Sequence, residues 1–171
     1  MPICALSKSV LSNMSPWRIW CVISRLKQYQ FDGHFRVPYL IQGSSMSALD
    51  DSIRVEVKTE YIEQQSSPED QKYLFSYTIT IINLGEQAAK LETRHWIITD
   101  ANGKISEVQG AGVVGETPTI PPNTAYQYTS GTVLDTPLGI MYGTYGMVSE
   151  SGEHFKATIK PFRLALPGLL H

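Results

Sequence analysis

The chain has almost no cysteine. Of its 171 residues only Cys4 and Cys21 carry a thiol, and both lie within the first 45. A disulfide framework and a cysteine-ligated metal site are therefore excluded from the main body. Long apolar runs are missing as well: no stretch approaches the roughly 20 residues that a membrane-spanning helix needs. Neither sign of charge dominates, with 14 Lys and Arg against 16 Asp and Glu and a formal net charge of -2. Neither nucleic acid nor a membrane is then an expected partner. His95, His154 and His171 stand far apart and form no H-x-H, H-x-x-x-H or H-E-x-x-H pattern, and no G-x-S-x-G occurs. The usual marks of a zinc site and of a serine nucleophile are thus absent. The expectation is a protein without catalytic residues, metal ligands or cofactor.

What charge there is divides unevenly. Residues 1–45 carry Lys8, Arg18, Arg25, Lys27 and Arg36 against Asp32 alone, a net of +4, which leaves −6 on the remainder. Within this basic leader, Ser15-Pro16 can cap and start a helix. Trp17, Trp20, Ile23 and Leu26 recur at helical spacing beside Arg18, Arg25 and Lys27, which describes a short basic amphipathic helix. Its five-residue apolar run, Ile19–Ile23, is shorter than a secretory signal requires. The competing expectation is that residues 1–45 are a disordered or non-native leader. Gly43-Ser44-Ser45 then leads to Met46 as the true start, and residues 46–171 form one domain.

Beyond residue 46 no amphipathic helix of any length is found, and alternation takes over. Val55 and Val57 alternate with Glu56 and Lys58; Tyr73, Phe75, Tyr77, Ile79 and Ile81 alternate with Leu74, Ser76, Thr78, Thr80 and Ile82. Period 2 with β-branched and aromatic enrichment predicts strands buried on one face. Further strands are expected over Leu91–Thr99, Lys104–Gln109, Ala125–Val133, Gly139–Val148 and His154–Leu164. Asn102-Gly103 predicts a type I′ hairpin turn, and Pro161 places its strand on an edge or at a bulge. Pro118, Pro121 and Pro122 break any regular element between the fourth and fifth strands. About seven strands separated by turn signals predict an all-β fold, an antiparallel β-sandwich of immunoglobulin or fibronectin-III type, with a small barrel as the runner-up. Its free edges leave a homodimer through edge strands open.

The candidate binding feature is the G-x-G-x-x-G spacing of Gly110, Gly112 and Gly115. In dinucleotide-binding folds such a cluster follows a parallel strand and opens a helix whose amides receive the pyrophosphate. Here Glu116-Thr117-Pro118-Thr119-Ile120-Pro121-Pro122 follows, which no helix can easily enter. The structural expectation is a bulged or tightly packed strand. The functional alternative is a nest of backbone amides that holds a nucleotide phosphate without a helix. Asp100 and Glu107 flank the Asn-Gly turn and either face each other or, for Asp100, bond the turn's own backbone. Trp96, Tyr126, Tyr128, Tyr142 and Tyr145 are expected mainly in the core, and any left on the surface favours partner binding.

The runs W-I-I-T-D-A-N-G-K (Trp96–Lys104) and V-x-G-x-G-V-V-G-x-x-P (Val108–Pro118) resemble the signature of the ApaG family, also called CorD. Y-T-S-G-T (Tyr128–Thr132), P-L-G-I-M-Y-G-T-Y (Pro137–Tyr145) and I-K-P-F-R-L (Ile159–Leu164) continue it in order. The resemblance spans residues 46–171 and leaves the leader outside. Where many members have Pro-Gly-Glu this chain has Pro122-Asn123-Thr124, and Asn serves the same turn. The resemblance implies a fibronectin-III-like sandwich of the bacterial cytoplasm, linked to cobalt tolerance and magnesium efflux. It also implies gene neighbours concerned with diadenosine tetraphosphate hydrolysis and rRNA dimethylation. In eukaryotic relatives, an F-box protein and a polymerase-δ-interacting protein, the domain is regarded as a protein-interaction module. A protein-interaction or regulatory module without enzymatic activity, its protein partner unidentified, is therefore the expectation. A nucleotide bound at Gly110, Gly112 and Gly115 is the alternative.

Overall fold

The computed structural model describes residues 25–30 and 52–169. Nine strands run through them: β1 (Arg25–Gln30), β2 (Ile53–Tyr61), β3 (Tyr73–Asn83), β4 (Ala89–Asp100), β5 (Ile105–Ala111), β6 (Thr119–Ile120), β7 (Thr124–Leu134), β8 (Leu138–Ser149) and β9 (His154–Ala165). Every pairing is antiparallel. One sheet has the order β1-β7-β3-β2, the other β5-β4-β8-β9 with β6 also paired to β4. Leaving out β1, two sheets of three and five strands face each other as a sandwich, with short 3-10 turns at Glu63–Gln65 and Pro68–Asp70.

All seven expected strands are present, and the alternation accounts for them. In β3, Phe75, Tyr77, Ile79 and Ile81 are fully buried between the sheets. Across from them β4 contributes Leu91 and Trp96, β8 contributes Met141, Tyr145 and Met147, and β9 contributes Ala157, Ile159 and Leu164. Trp96 sits at the centre, edge-on to Tyr145 at 5.8 Å and to Phe162 at 6.0 Å, and tilted against Tyr77 at 5.9 Å. These are favoured aromatic geometries, since edge-on packing sets positive ring edges against negative faces. The buried amide of Asn83 is fully engaged: its Nδ2 donates to the carbonyls of Gln87 and Ile120, and its Oδ1 accepts from the Gly85 amide. That network ties the end of β3 to β6.

Several details depart from expectation. The Asn102-Gly103 hairpin is not type I′, because only Gly103 has positive φ (81°). Asp100 and Lys104 close a three-residue loop, with Asp100 N donating to Lys104 O at 3.0 Å and Gly103 N to Asp100 O at 3.1 Å. That is a tight turn followed by a left-handed glycine, the next commonest hairpin. Asp100 takes the turn role, its Oδ1 accepting from the amides of Asn102 and Lys104 at 2.9 Å each. The proline-rich connection does form a ladder, the two-residue β6. Pro161 lies on edge strand β9, at the register shift between Met141 and Gly143, as its missing amide requires. The leader helix falls outside the described residues except at its end, where Arg25–Gln30, including Leu26, is a strand.

Candidate functional site

The glycine cluster closes on itself. Gly110 and Ala111 end β5, and Val113 and Glu116 then form a two-residue hairpin with reciprocal backbone bonds of 2.8 and 2.9 Å. Its central residues, Val114 (φ 52°) and Gly115 (φ 82°), both have positive φ, the backbone of a type I′ turn. A β-branched residue is strained there; Val114 packs against the core and Val113 is buried in it, which holds the turn. Gly112 (φ 58°) has no room for a side chain, since a Cβ would stand 2.1 Å from the Glu116 carbonyl oxygen. Gly112 and Gly115 therefore have a steric or conformational reason to be glycine, while a Cβ at Gly110 would meet only the Arg94 guanidinium.

The same geometry engages the groups a phosphate would want. The amides of Gly112, Val113 and Glu116 donate to the carbonyls of Glu92, Glu116 and Val113. Arg94 lies across Gly110, and its Nη1 donates to the carbonyl oxygens of Ala111 and Gly112 at 2.7 Å each. Glu116 adds a carboxylate, bonded by the Tyr126 hydroxyl at 3.3 Å. A nucleotide phosphate at Gly110, Gly112 and Gly115 would meet the Glu116 carboxylate and, at Gly112, Val113 and Glu116, amides that already have acceptors.

The polar residues elsewhere are dispersed. Among the described residues no three His, Cys, Asp or Glu side chains gather as metal ligands. Glu107 pairs with His95 rather than with Asp100, and that bond holds the exposed Glu107 carboxyl below its ordinary range. His154 is exposed at the start of β9, and His171 lies outside the described residues. Of the hydroxyls in Tyr128–Thr132, Tyr128 bonds Tyr145 inside the core (OH to OH 2.5 Å), and Thr129 bonds Thr78 across the sheet at 2.8 Å.

Four of the five singled-out aromatics are buried: Trp96, Tyr126, Tyr128 and Tyr145. Burial pushes the Tyr77 hydroxyl up from 10.0 to about 12, with Ser130 opposing in part. Tyr126 is likewise raised to about 12, by burial and then by Glu116, and Tyr128 and Tyr145 are raised by burial. Raised folded-state values mean that the folded chain keeps phenolic protons the unfolded chain gives up. For Tyr77 and Tyr126 that stabilisation is complete below about pH 10 and is lost as pH rises through about 12, and for Tyr128 and Tyr145 the loss lies higher still. An alkaline titration is expected to show tyrosinate absorbance from the buried tyrosines only together with loss of the fold.

The fifth aromatic, Tyr142, faces solvent, and it has company. With Trp96 and Ile98 turned inward on β4, Ile97 and Thr99 lie on the outer face of the five-stranded sheet. Thr99 is paired with Ile105 on one side and Ile140 on the other; Ile97 is paired with Glu107 and Tyr142. Ile105 is 68% exposed, Ile140 45% and Tyr142 37%. Among the described residues, three of the five exposed large apolar side chains thus share one face, the others being Leu84 and Leu169. Around them stand the Lys104–Asp135 ion pair (2.6 Å), the His95–Glu107 pair and Arg163 opposite Ile140. An apolar centre with a charged rim is the anatomy of a protein-binding surface. One sequence signal pointed there: in β8 both alternating sets, Ile140 and Tyr142 as well as Met141 and Tyr145, are apolar, although one face of that strand meets water.

A family model described as ApaG domain matches residues 63–149, slightly more than half of the chain. The chain belongs to the ApaG family. Protein ApaG of Shewanella sp. (strain MR-4) is 98% identical over 126 residues, which are 74% of this chain and 100% of that protein. Protein ApaG of Shewanella oneidensis is 94% identical over the same length. Among solved structures, the X-ray structure of a structural-genomics target is 94% identical, with a TM-score of 0.69, covering 72% of this chain and 94% of that one. The crystal structure of the putative ApaA protein from Bordetella pertussis is 45% identical, with a TM-score of 0.67, covering 68% and 94%. The ApaG domain model spans the glycine hairpin, β4, β5 and β8, and so includes the exposed apolar face. Among the described residues no helix is long and apolar enough to cross a membrane.

Proposed function

We propose that this ApaG-family chain is a non-enzymatic protein-interaction or regulatory module of the bacterial cytoplasm, and that it binds a protein partner through the outer face of the five-stranded sheet. The observation that supports this most is the contiguous set Ile105, Ile140 and Tyr142 around the half-buried Ile97, apolar and open to solvent on a face that antiparallel sheets usually keep polar. Tyrosine at such a place is favoured because it contributes large contact area with little side-chain freedom to lose. The cobalt and magnesium phenotypes implied by the family would then run through that partner.

The test compares the full chain with Ile140→Asp and Tyr142→Ala in partner capture from the native cell, followed by affinity measurement on the protein recovered. Both variants should keep the wild-type melting temperature, since neither side chain is in the core. Each should weaken binding at least tenfold, in line with an interface anchor worth about 2 kcal/mol. Equal binding by wild type and both variants would remove the outer face from the function. Turnover of a nucleotide by the pure protein would overturn the non-enzymatic reading.

A further inference from the structure

The strands that border the two sheets are not equally guarded. β2 carries alternating charges at Arg54, Glu56, Lys58 and Glu60, and β9 carries Lys156, Lys160, Pro161 and Arg163. β5 is short and holds Glu107. Charges, prolines and shortness are the devices that stop an edge from recruiting another strand. β7 has none of them: Thr124–Leu134 is eleven residues long with no charged residue and no proline, and it is rich in tyrosine and threonine. On one side it pairs with β3 along its whole length. Its other side is covered by Arg25–Gln30, antiparallel and in continuous register from Arg25 opposite Thr129 to Gln30 opposite Thr124.

We propose that the outer edge of β7 over Thr124–Thr129 is a strand-acceptor site, occupied here by Arg25–Gln30, which an extended peptide of a protein partner enters by displacing that segment. Main-chain hydrogen bonds supply the affinity in such additions, and alternate side chains supply the selectivity. The faces of β7 define the peptide. Tyr126 and Tyr128 are buried, and the positions opposite them are held by Gln28 and Leu26, so an entering strand needs uncharged residues there. Gln127 and Thr129 lie on the other face, bonded to Thr80 and Thr78, and Lys27 and Arg25 stand opposite them. Charged residues are therefore accepted at those alternate places. The inference is independent of the outer-face reading, because β7 belongs to the other sheet.

Amide hydrogen exchange of the full chain tests it, with the double variant Lys27→Pro/Gln28→Pro. Consecutive strand residues point their amides to opposite sides, so the pair removes one bond to β7 whichever way the strand faces. Exchange in Thr124–Thr129 is expected to rise at least tenfold, with Tyr73–Asn83 in β3 unchanged as the control for an intact sandwich. A synthetic peptide spanning Arg25–Gln30, in large molar excess, should restore protection to the variant, and the same peptide carrying the two prolines should not. The proposal is overturned if exchange in Thr124–Thr129 does not change, or if the peptide restores nothing. It is overturned in favour of a second copy if the variant sediments as a dimer with β7 protected in the absence of peptide. An Ile140→Asp chain should behave as wild type throughout, so failure here is distinguishable from failure of the outer face.

Discussion

Trp96→Ala is expected to destabilise the fold by about 3–5 kcal/mol, measured as a lowered urea midpoint at unchanged slope. Trp96 is fully buried at the junction of the two sheets and touches Tyr77, Tyr145 and Phe162. Its removal takes a contact from β3, β8 and β9 at once, and the surrounding strands cannot collapse into the space, because β4 is held between β5 and β8 by its ladders. The indole Nε1 has no hydrogen-bond acceptor among the described residues, so the loss is one of packing and not of a bond. Trp96→Phe should accordingly recover much of the stability. A loss for Trp96→Ala under about 1 kcal/mol would show that the aromatic cluster is not the centre of the core.

Gly143→Ala should be nearly as damaging, for the opposite reason. Gly143 pairs with Trp96, and a Cβ on it would stand 2.0 Å from the His95 carbonyl oxygen and 3.1 Å from the Trp96 Cα. Those atoms are backbone, and no side chain can swing away. Relief requires β8 to separate from β4 beside the register shift at Met141/Gly143, at a cost of about 3 kcal/mol or more. Gly152→Ala is the comparison: its φ of 83° strains any side chain, yet nothing lies within 4 Å of the added Cβ. It should cost only about 1–2 kcal/mol. Equal losses at the two positions would mean that the close approach of β8 to β4 is not what requires Gly143.

The strands were legible because burial on one face leaves a period-2 trace, and β3 displays it from Tyr77 to Asn83. Pro161 marked its bulge because a missing amide has few places to go. The turns were harder. Asn102-Gly103 carries the dipeptide of a type I′ turn but belongs to a three-residue loop, since the Asp100 carboxylate captures the amides of Asn102 and Lys104. The two positive-φ residues of a type I′ turn occur instead at Val114-Gly115, where local preference argues against valine and core packing overrides it. β6 was missed because a two-residue strand between prolines has no period to read. The exposed face was hidden for a different reason: an apolar residue on β8 looks the same in sequence whether it meets Trp96 or water.

The long reach of the β7 pairings bears on how the chain folds in time. β3 pairs with β7 across some 40 to 60 intervening residues, and β1 with β7 across roughly 100, so the three- or four-stranded sheet closes only after most of the chain is present. A topology so rich in non-local contacts folds on the scale of milliseconds to seconds. During synthesis β3 would emerge with no β7 to join, while the β4–β5 hairpin can form at once. Each sheet is expected to begin from a local hairpin, β2–β3 in one and β4–β5 or β8–β9 in the other, and to lock only when β7 joins β3 and β8 joins β4.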